Sequence, residues 1–396
     1  MKMERAVVVI ASLMAVASGV LLVYAPWSVT ISSSGYAGAG QFFLFYVIFT
    51  ISTNIFSGRF VDTLGGYSSL FVCVVLRVAL LLLWAALDRA SLVQHWMITV
   101  SLAAMASVPD SLYRNSISSI TKAAFQHEEL LRINGSISAW RQIGYIIGTL
   151  LGAVAVSTNF PVFIYTQLAI SIICIGLLIF IQKVARIAQS AVIDVQKRRI
   201  GFGIGADAAH FVLRDSPALI ATLVLFGSAA VLLPMNAAPY ILKVKQLPSF
   251  NLGLVEAAFS LGTLTGALYF SRPRGQIIQL ISCAVLAISV GVIPYAASTA
   301  IIALYFLIGL SIQVSIPLGT ALQIRCPTRL IGQVAALISL LGSAIAASVM
   351  MFVSNGNIYS PNYIYYLLCM FFIIALVFAL FYFSRVIGAN DAMSQN

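Results

Sequence analysis

The stretch VCVVLRVALLLLW, residues 72–84, sets Arg77 between Leu76 and Val78 with no polar residue beside it. Whether a guanidinium can sit there depends on the solvent that the stretch sees. Over all 396 residues, 61% are hydrophobic and only 8% are charged. A water-soluble domain carries roughly a quarter charged residues, so this composition cannot make a water-facing surface. It fits a polytopic membrane protein, and Arg77 becomes a charge inside a bilayer-spanning segment.

Apolar runs near the ~20 residues that cross a bilayer fall at 7–31, 38–57, 67–87, 95–117, 134–156, 162–183, 217–241, 250–270, 276–296, 300–322, 331–353 and 363–384. Twelve spans put both termini on one side. The first run, with its basic start, imitates a signal peptide but continues too far for a cleaved one, and reads as an uncleaved span. Of the 22 Lys and Arg residues, Arg89, Lys243 and Lys245 lie in one set of connections, and Arg77 and Arg141 lie within spans. All the others share the opposite side, which the positive-inside bias assigns to the cytoplasm. The net charge of +11 therefore reports topology and not nucleic-acid binding.

Residues 184–216, with the basic run Gln196 to Arg199, divide the chain into six-span halves at 1–183 and 217–396. This segment reads as a cytoplasmic linker entering a short interfacial helix. Its GFGIG stretch follows no strand and precedes no Lys-Ser/Thr, so it is no nucleotide loop. Five scattered cysteines and three isolated histidines give neither a metal site nor a disulfide framework, and no cofactor is expected. Enzyme signatures such as HExxH and GxSxG are absent too. With no ATPase motif, energy would come from a gradient.

The halves repeat each other. Ser107-Val108-Pro109 matches Ser315-Ile316-Pro317, and RINGSISA (Arg132 to Ala139) matches RLIGQVAA (Arg329 to Ala336). Transporters are commonly built from such repeats, with the substrate site near the midplane. Charge, however, is not repeated: Asp110 stands where the second copy has Leu318, and Arg141 where it has Ile338.

Arg77 is central in the 67–87 run, roughly 15 Å deep in a ~30 Å core. Burying an arginine at that depth costs about 2.5 to 3.5 kcal/mol, so it must face the bundle interior. Two roles stay open: a permanent ion pair that orders helices, or contact with a substrate or a titrating carboxylate. Arg141 enters its span about 10 Å from the inner face, next to Gln142 and along the ridge Gly144, Gly148, Gly152, which suits close helix packing. Among acids, Asp110 is one turn from Arg114, the spacing of an i,i+4 ion pair. Glu256 has no basic neighbour in its own span and is the simplest proton-coupling candidate, with Asp110 second.

The loop SGRFVDTLGGY, Ser57 to Tyr67, resembles the signature loop of the major facilitator superfamily, GxLaDrxGrk. Gly58, Phe60, Asp62 and Gly65 fall on its glycine, leucine, aspartate and second glycine, while Gly66 and Tyr67 replace its basic residues. PDSLYRNSISSI, LGLVEAAFSLGTLTGAL and IGQVAALISLLGSAI are similar to the drug and siderophore exporter branch, of the enterobactin-exporter and macrolide-efflux kind. The resemblance implies an all-α fold of two pseudo-symmetric six-helix bundles. It also implies a gate in which Asp62, with Gly58 and Gly65, meets Arg114 and the helix start at Gly332.

The expected protein is a monomeric, multi-pass bacterial inner-membrane efflux antiporter. It exports an amphipathic, anionic or zwitterionic molecule against protons, and its partners are that small molecule, protons and membrane lipids. By analogy the cavity is lined by spans 1, 4, 7 and 10. Tyr24, Trp27, Arg77, Arg141, Gln142, Asn236, Tyr240 and Gln313 are the candidate substrate contacts. Proton-coupled uptake of an anionic metabolite or siderophore, and lipid flipping by the same fold, are the alternatives.

Overall fold

The computed structural model describes residues 3–32, 36–89, 96–158, 160–189, 205–247, 249–354 and 361–394. Among them all regular structure is helical. The helices are α1 (Met3–Ser32), α2 (Tyr36–Leu64), α3 (Gly66–Arg89), α4 (Trp96–Met105), α5 (Ser107–Ala124), α6 (His127–Thr158), α7 (Phe160–Gln189) and α8 (Ala206–His210). They continue with α9 (Pro217–Pro239), α10 (Ser249–Phe270), α11 (Gln276–Val292), α12 (Ser298–Ile312), α13 (Ser315–Arg325), α14 (Ile331–Ser354) and α15 (Pro361–Ser394). Within the described residues seven spans are long and apolar enough to cross a membrane, and the shorter apolar helices Arg5–Leu21 and Leu254–Phe270 add to them. Large apolar side chains such as Leu150, Ile172 and Ile288 are exposed, whereas Arg77, Asp110, Gln167 and Asn236 are buried. That inversion is the pattern of a chain solvated by lipid.

Two of the expected continuous spans are broken. Residues 95–117 divide into α4 and α5 at Ala106, and 300–322 divide into α12 and α13 at Gln313 and Val314. The reason lies in the repeated Ser-x-Pro. Pro109 cannot donate to the Met105 carbonyl, nor Pro317 to that of Gln313, and each ring crowds that same oxygen. The duplication seen in the sequence is thus a duplicated helix break. Residues 206–214 meet Pro217–Leu233 at 101°, with Pro217 in the first turn of α9 where its missing N–H costs nothing.

The chain forms two compact units. The first comprises Met1–Phe125, Trp140–Gly205 and Thr328–Leu340; the second comprises Gln126–Ala139, Ala206–Pro327 and Leu341–Asn396. In the first unit Val20, Tyr24, Leu81, Trp84, Leu102, Ala155 and Phe163 make an apolar core from α1, α3, α4, α6 and α7. Tyr24 stacks on Phe163 with ring centroids 4.1 Å apart. The ridge of α6 packs on α1: a side chain at Gly144 would strike the Ser12 carbonyl, and one at Gly148 the Val16 carbonyl. In the second unit Gly262 and Gly309 bring α10 and α12 equally close.

Gly148→Leu should lower stability by about 1–3 kcal/mol, the usual cost of overpacking. Thermal unfolding in detergent–lipid micelles reads the change; an unaltered melting temperature would show that α1 and α6 do not pack through this ridge.

Candidate functional site

Polar chemistry in the first unit converges on Asp110, which the Pro109 break delivers to the interior at the head of α5. Arg77 is only 3% exposed. It donates from Nη1 to Asp110 Oδ1 at 3.1 Å and from Nη2 to Gln167 Oε1 at 3.2 Å. Gln167 Nε2 in turn donates to the Ala17 carbonyl at 2.6 Å. Ser18 Oγ donates to Asp110 Oδ1 at 2.9 Å, and Tyr46 Oη donates to Oδ2 at 3.4 Å. Even the Cys73 thiol takes part, donating to the Pro109 carbonyl at 3.0 Å. One acid and one base therefore tie together α1, α2, α3, α5 and α7. Each charge has a counter-charge and further hydrogen bonds, which is what a buried ion pair needs to offset its desolvation.

The i,i+4 pair expected between Asp110 and Arg114 does not form. Arg114 Nε instead donates to the Asp110 backbone carbonyl at 3.4 Å, its side chain is exposed, and the carboxylate turns to Arg77 on another helix.

Arg141 is differently placed. It lies within electrostatic reach of Tyr113, Tyr145 and Asp110. Its Nε is buried with no acceptor, while the residue as a whole keeps partial exposure. The Tyr113 hydroxyl donates to the Ala11 carbonyl at 3.3 Å. Gln142, beside Arg141, is half-buried.

At the other end of α2 the signature loop meets the first turn of α14, within the same unit. Asp62 Oδ1 accepts the Gly332 N–H and Oδ2 the Gln333 N–H, each at 3.0 Å. These N–H groups have no acceptor inside their own helix, and a carboxylate there also meets the positive end of the helix dipole. Gln333 Oε1 accepts the Gly205 N–H at 2.8 Å. Gly58 is needed for the approach, since a side chain on it would lie 2.7 Å from the Gly332 carbonyl. Gly65 turns the chain from α2 into α3 at φ 80°, the left-handed region where glycine is unstrained. Of the residues expected at the gate, the geometry joins Asp62, Gly58 and Gly332. Above them Asn115 Nδ2 donates to Ser57 Oγ at 2.8 Å, and Asn54 Nδ2 to Ser339 Oγ at 2.9 Å.

In the second unit the matching stretch is bordered by uncharged groups, but it lies inside α6, which already begins at His127, and not at a helix start. Gly135 lies against Ser271. Asn134 Nδ2 donates to Thr320 Oγ1 and Gln323 Oε1, both at 2.8 Å, and Ser138 Oγ donates to Gln313 Oε1 at 2.8 Å. Tyr240 is buried with its hydroxyl donating to the Ile293 carbonyl at 2.9 Å. Its ring meets that of Tyr365 edge-on, and the hydroxyls of Tyr305 and Tyr365 share a 2.6 Å hydrogen bond. Glu256, exposed on α10, lies within electrostatic reach of that tyrosine pair. Asn236 is buried in α9. The side chain of Trp27 lies outside the described residues. No group of three or more His, Cys, Asp or Glu residues among the described ones could hold a metal ion.

A lipid-solvated helical protein with a duplicated helix break and a buried charge network has the design of a membrane transporter. The profile of the Major Facilitator Superfamily matches residues 7–351. The chain belongs to that family of multi-pass transporters. No curated protein sequence matches it. Its fold is similar to the crystal structure of a bacterial homologue of the iron transporter ferroportin in the outward-facing state, at 16% identity and a TM-score of 0.76, covering 97% of this chain and 100% of that one. The human organic anion transporter MFSD10 (TETRAN) is similar at 13% identity and a TM-score of 0.72, covering 96% and 100%. For the Escherichia coli fucose:proton symporter FucP the values are 12%, 0.70, 96% and 98%. At such identities the likeness concerns the fold alone.

Replacing Asp62 by Asn should weaken the contact with α14 by about 0.5–2 kcal/mol, the range for a lost cap. Amide exchange at Gly332 and Gln333, read by hydrogen–deuterium mass spectrometry, should then quicken roughly 2- to 30-fold. Unchanged exchange there would mean that Asp62 does not hold this helix end.

Proposed function

We propose that the protein exports an amphipathic organic molecule of drug, siderophore or toxin type across the bacterial inner membrane, in exchange for protons and by alternating access. Glu256 carries the coupling half of this reading. It is a carboxylate within an apolar span, and no hydrogen-bond or ion-pair partner is found for it among the described residues. A carboxylate so placed is stable only with a proton on it or water beside it, and the two conditions alternate as access alternates. Asp110 is the weaker candidate because Arg77, Ser18 and Tyr46 already hold its charged form. The apolar spans carry few polar residues, which suits a bulky amphiphile better than a sugar with its many hydroxyls. In this scheme Asp62 on the first turn of α14, with Gly58 and Gly65 shaping the approach, is the latch that biases one access state.

Inside-out membrane vesicles with an acidic interior provide the test, using ethidium, dansyl-glycinamide and dansyl-glycine as cationic, neutral and anionic probes. Exchange of one proton per molecule accumulates substrate about tenfold per pH unit. Glu256→Gln should keep downhill flux and lose this accumulation. Accumulation that still follows the pH gradient in the variant would move coupling to Asp110; the absence of acid-driven accumulation in the native protein would reverse the direction assigned.

A further inference from the structure

The charge balance inside the first unit does not close. Arg77 and Arg141 lie within spans there, and Asp110 is the carboxylate that the structure places among them. Asp110 is taken: Arg77 pairs with it at 3.1 Å and is sealed from solvent, with its second amino group on Gln167. What remains for Arg141 is neutral. Tyr145 and Tyr113 are the neutral groups within its electrostatic reach, Tyr113 with its own hydroxyl proton committed to Ala11, and the buried Nε has no acceptor. Phenol oxygens can accept from a guanidinium but carry no charge to balance it. Unlike Arg77, Arg141 keeps part of its surface open.

We infer that Arg141 is the group that receives the anionic end of the transported molecule, a single carboxylate or comparable monoanion on an amphiphile, flanked by the hydroxyls of Tyr113 and Tyr145. One guanidinium fork matches one carboxylate in bidentate geometry, and one negative charge brings this interior to neutrality. Arg77 is the positioning residue: by holding Asp110 it keeps that carboxylate from pairing with Arg141, and so keeps the site vacant for an exogenous anion. The second unit has Ile338 at the position matching Arg141, so the anion is held on one side of the duplication. This inference rests on the export reading above and gives its substrate a chemical class.

The experiment measures equilibrium binding of dansyl-glycine and of its neutral analogue dansyl-glycinamide to the full-length protein in zwitterionic lipid nanodiscs. Identical nanodiscs lacking protein are subtracted. The native protein should bind the carboxylate about tenfold or more tightly than the amide. Arg141→Gln should erase that difference, and Arg141→Lys should restore part of it. Binding of neither probe, equal binding of both, or a carboxylate preference that survives in Arg141→Gln would overturn the proposal. The native comparison decides even if Arg141→Gln fails to fold. Proton-driven accumulation of the neutral or cationic probe together with no carboxylate preference would sink this inference and leave export standing. Carboxylate binding without any proton-driven flux would do the reverse.

Discussion

A guanidinium halfway across a bilayer must find a counter-charge, and the ion pair Arg77–Asp110 meets that demand for this protein. Alone, either charge would cost about 2.5–3.5 kcal/mol at a helix centre. Together, with Gln167, Ser18 and Tyr46 around them, they neutralise each other and draw five helices to one point. The geometry begins in the backbone. Pro109 interrupts the helix at Ala106, and the carboxylate of the next residue emerges at that interruption, opposite α3. The break is therefore the local cause of the pair, and the pair is the cause of the unit's polar interior.

The second unit shows what the same architecture looks like without it. Pro317 breaks its helix as Pro109 does, but Leu318 follows and no charge enters. Its interior is held by tyrosine hydroxyls, amides and close glycine contacts. The carboxylate within its apolar spans, Glu256, has no ion-pair partner among the described residues. Duplication has supplied two scaffolds, and charge within the spans has been divided between them: Arg77, Asp110 and Arg141 in one, Glu256 in the other. The matched glycines Gly135 and Gly332 differ in the same sense, one inside α6 and bordered by neutral Ser271, the other in the first turn of α14 beside the capping Asp62.

Much of this was legible in the sequence because membranes penalise charge so heavily. The depth of Arg77 in its apolar run required an inward orientation and a partner. The signature loop led to the contact of Asp62 with the α14 start at Gly332 before any distance was known. The partner of Arg77 was not legible. Spacing along one helix offered Asp110 to Arg114, and only the fold reveals the stronger claim from α3. Gln167 and Ser18 escaped notice because they are uncharged and sit in runs that read as apolar, although the lone amide in FIYTQLAISII, residues 163–173, was a signal. The Ser-x-Pro match was visible as a repeat, but its meaning as a pair of helix breaks required seeing which carbonyls the prolines cannot reach.

The central claim is that Arg77 and Asp110 act as one neutral unit, and a double-mutant cycle tests it most directly. Unfolding free energies would be measured for Arg77→Met, Asp110→Leu and the double variant in detergent–lipid micelles. Each single change strands a buried charge and should cost about 3–5 kcal/mol, whereas the double change strands none and should cost less than either. Additive losses would contradict the account, because they would mean that the two side chains stabilise the protein independently.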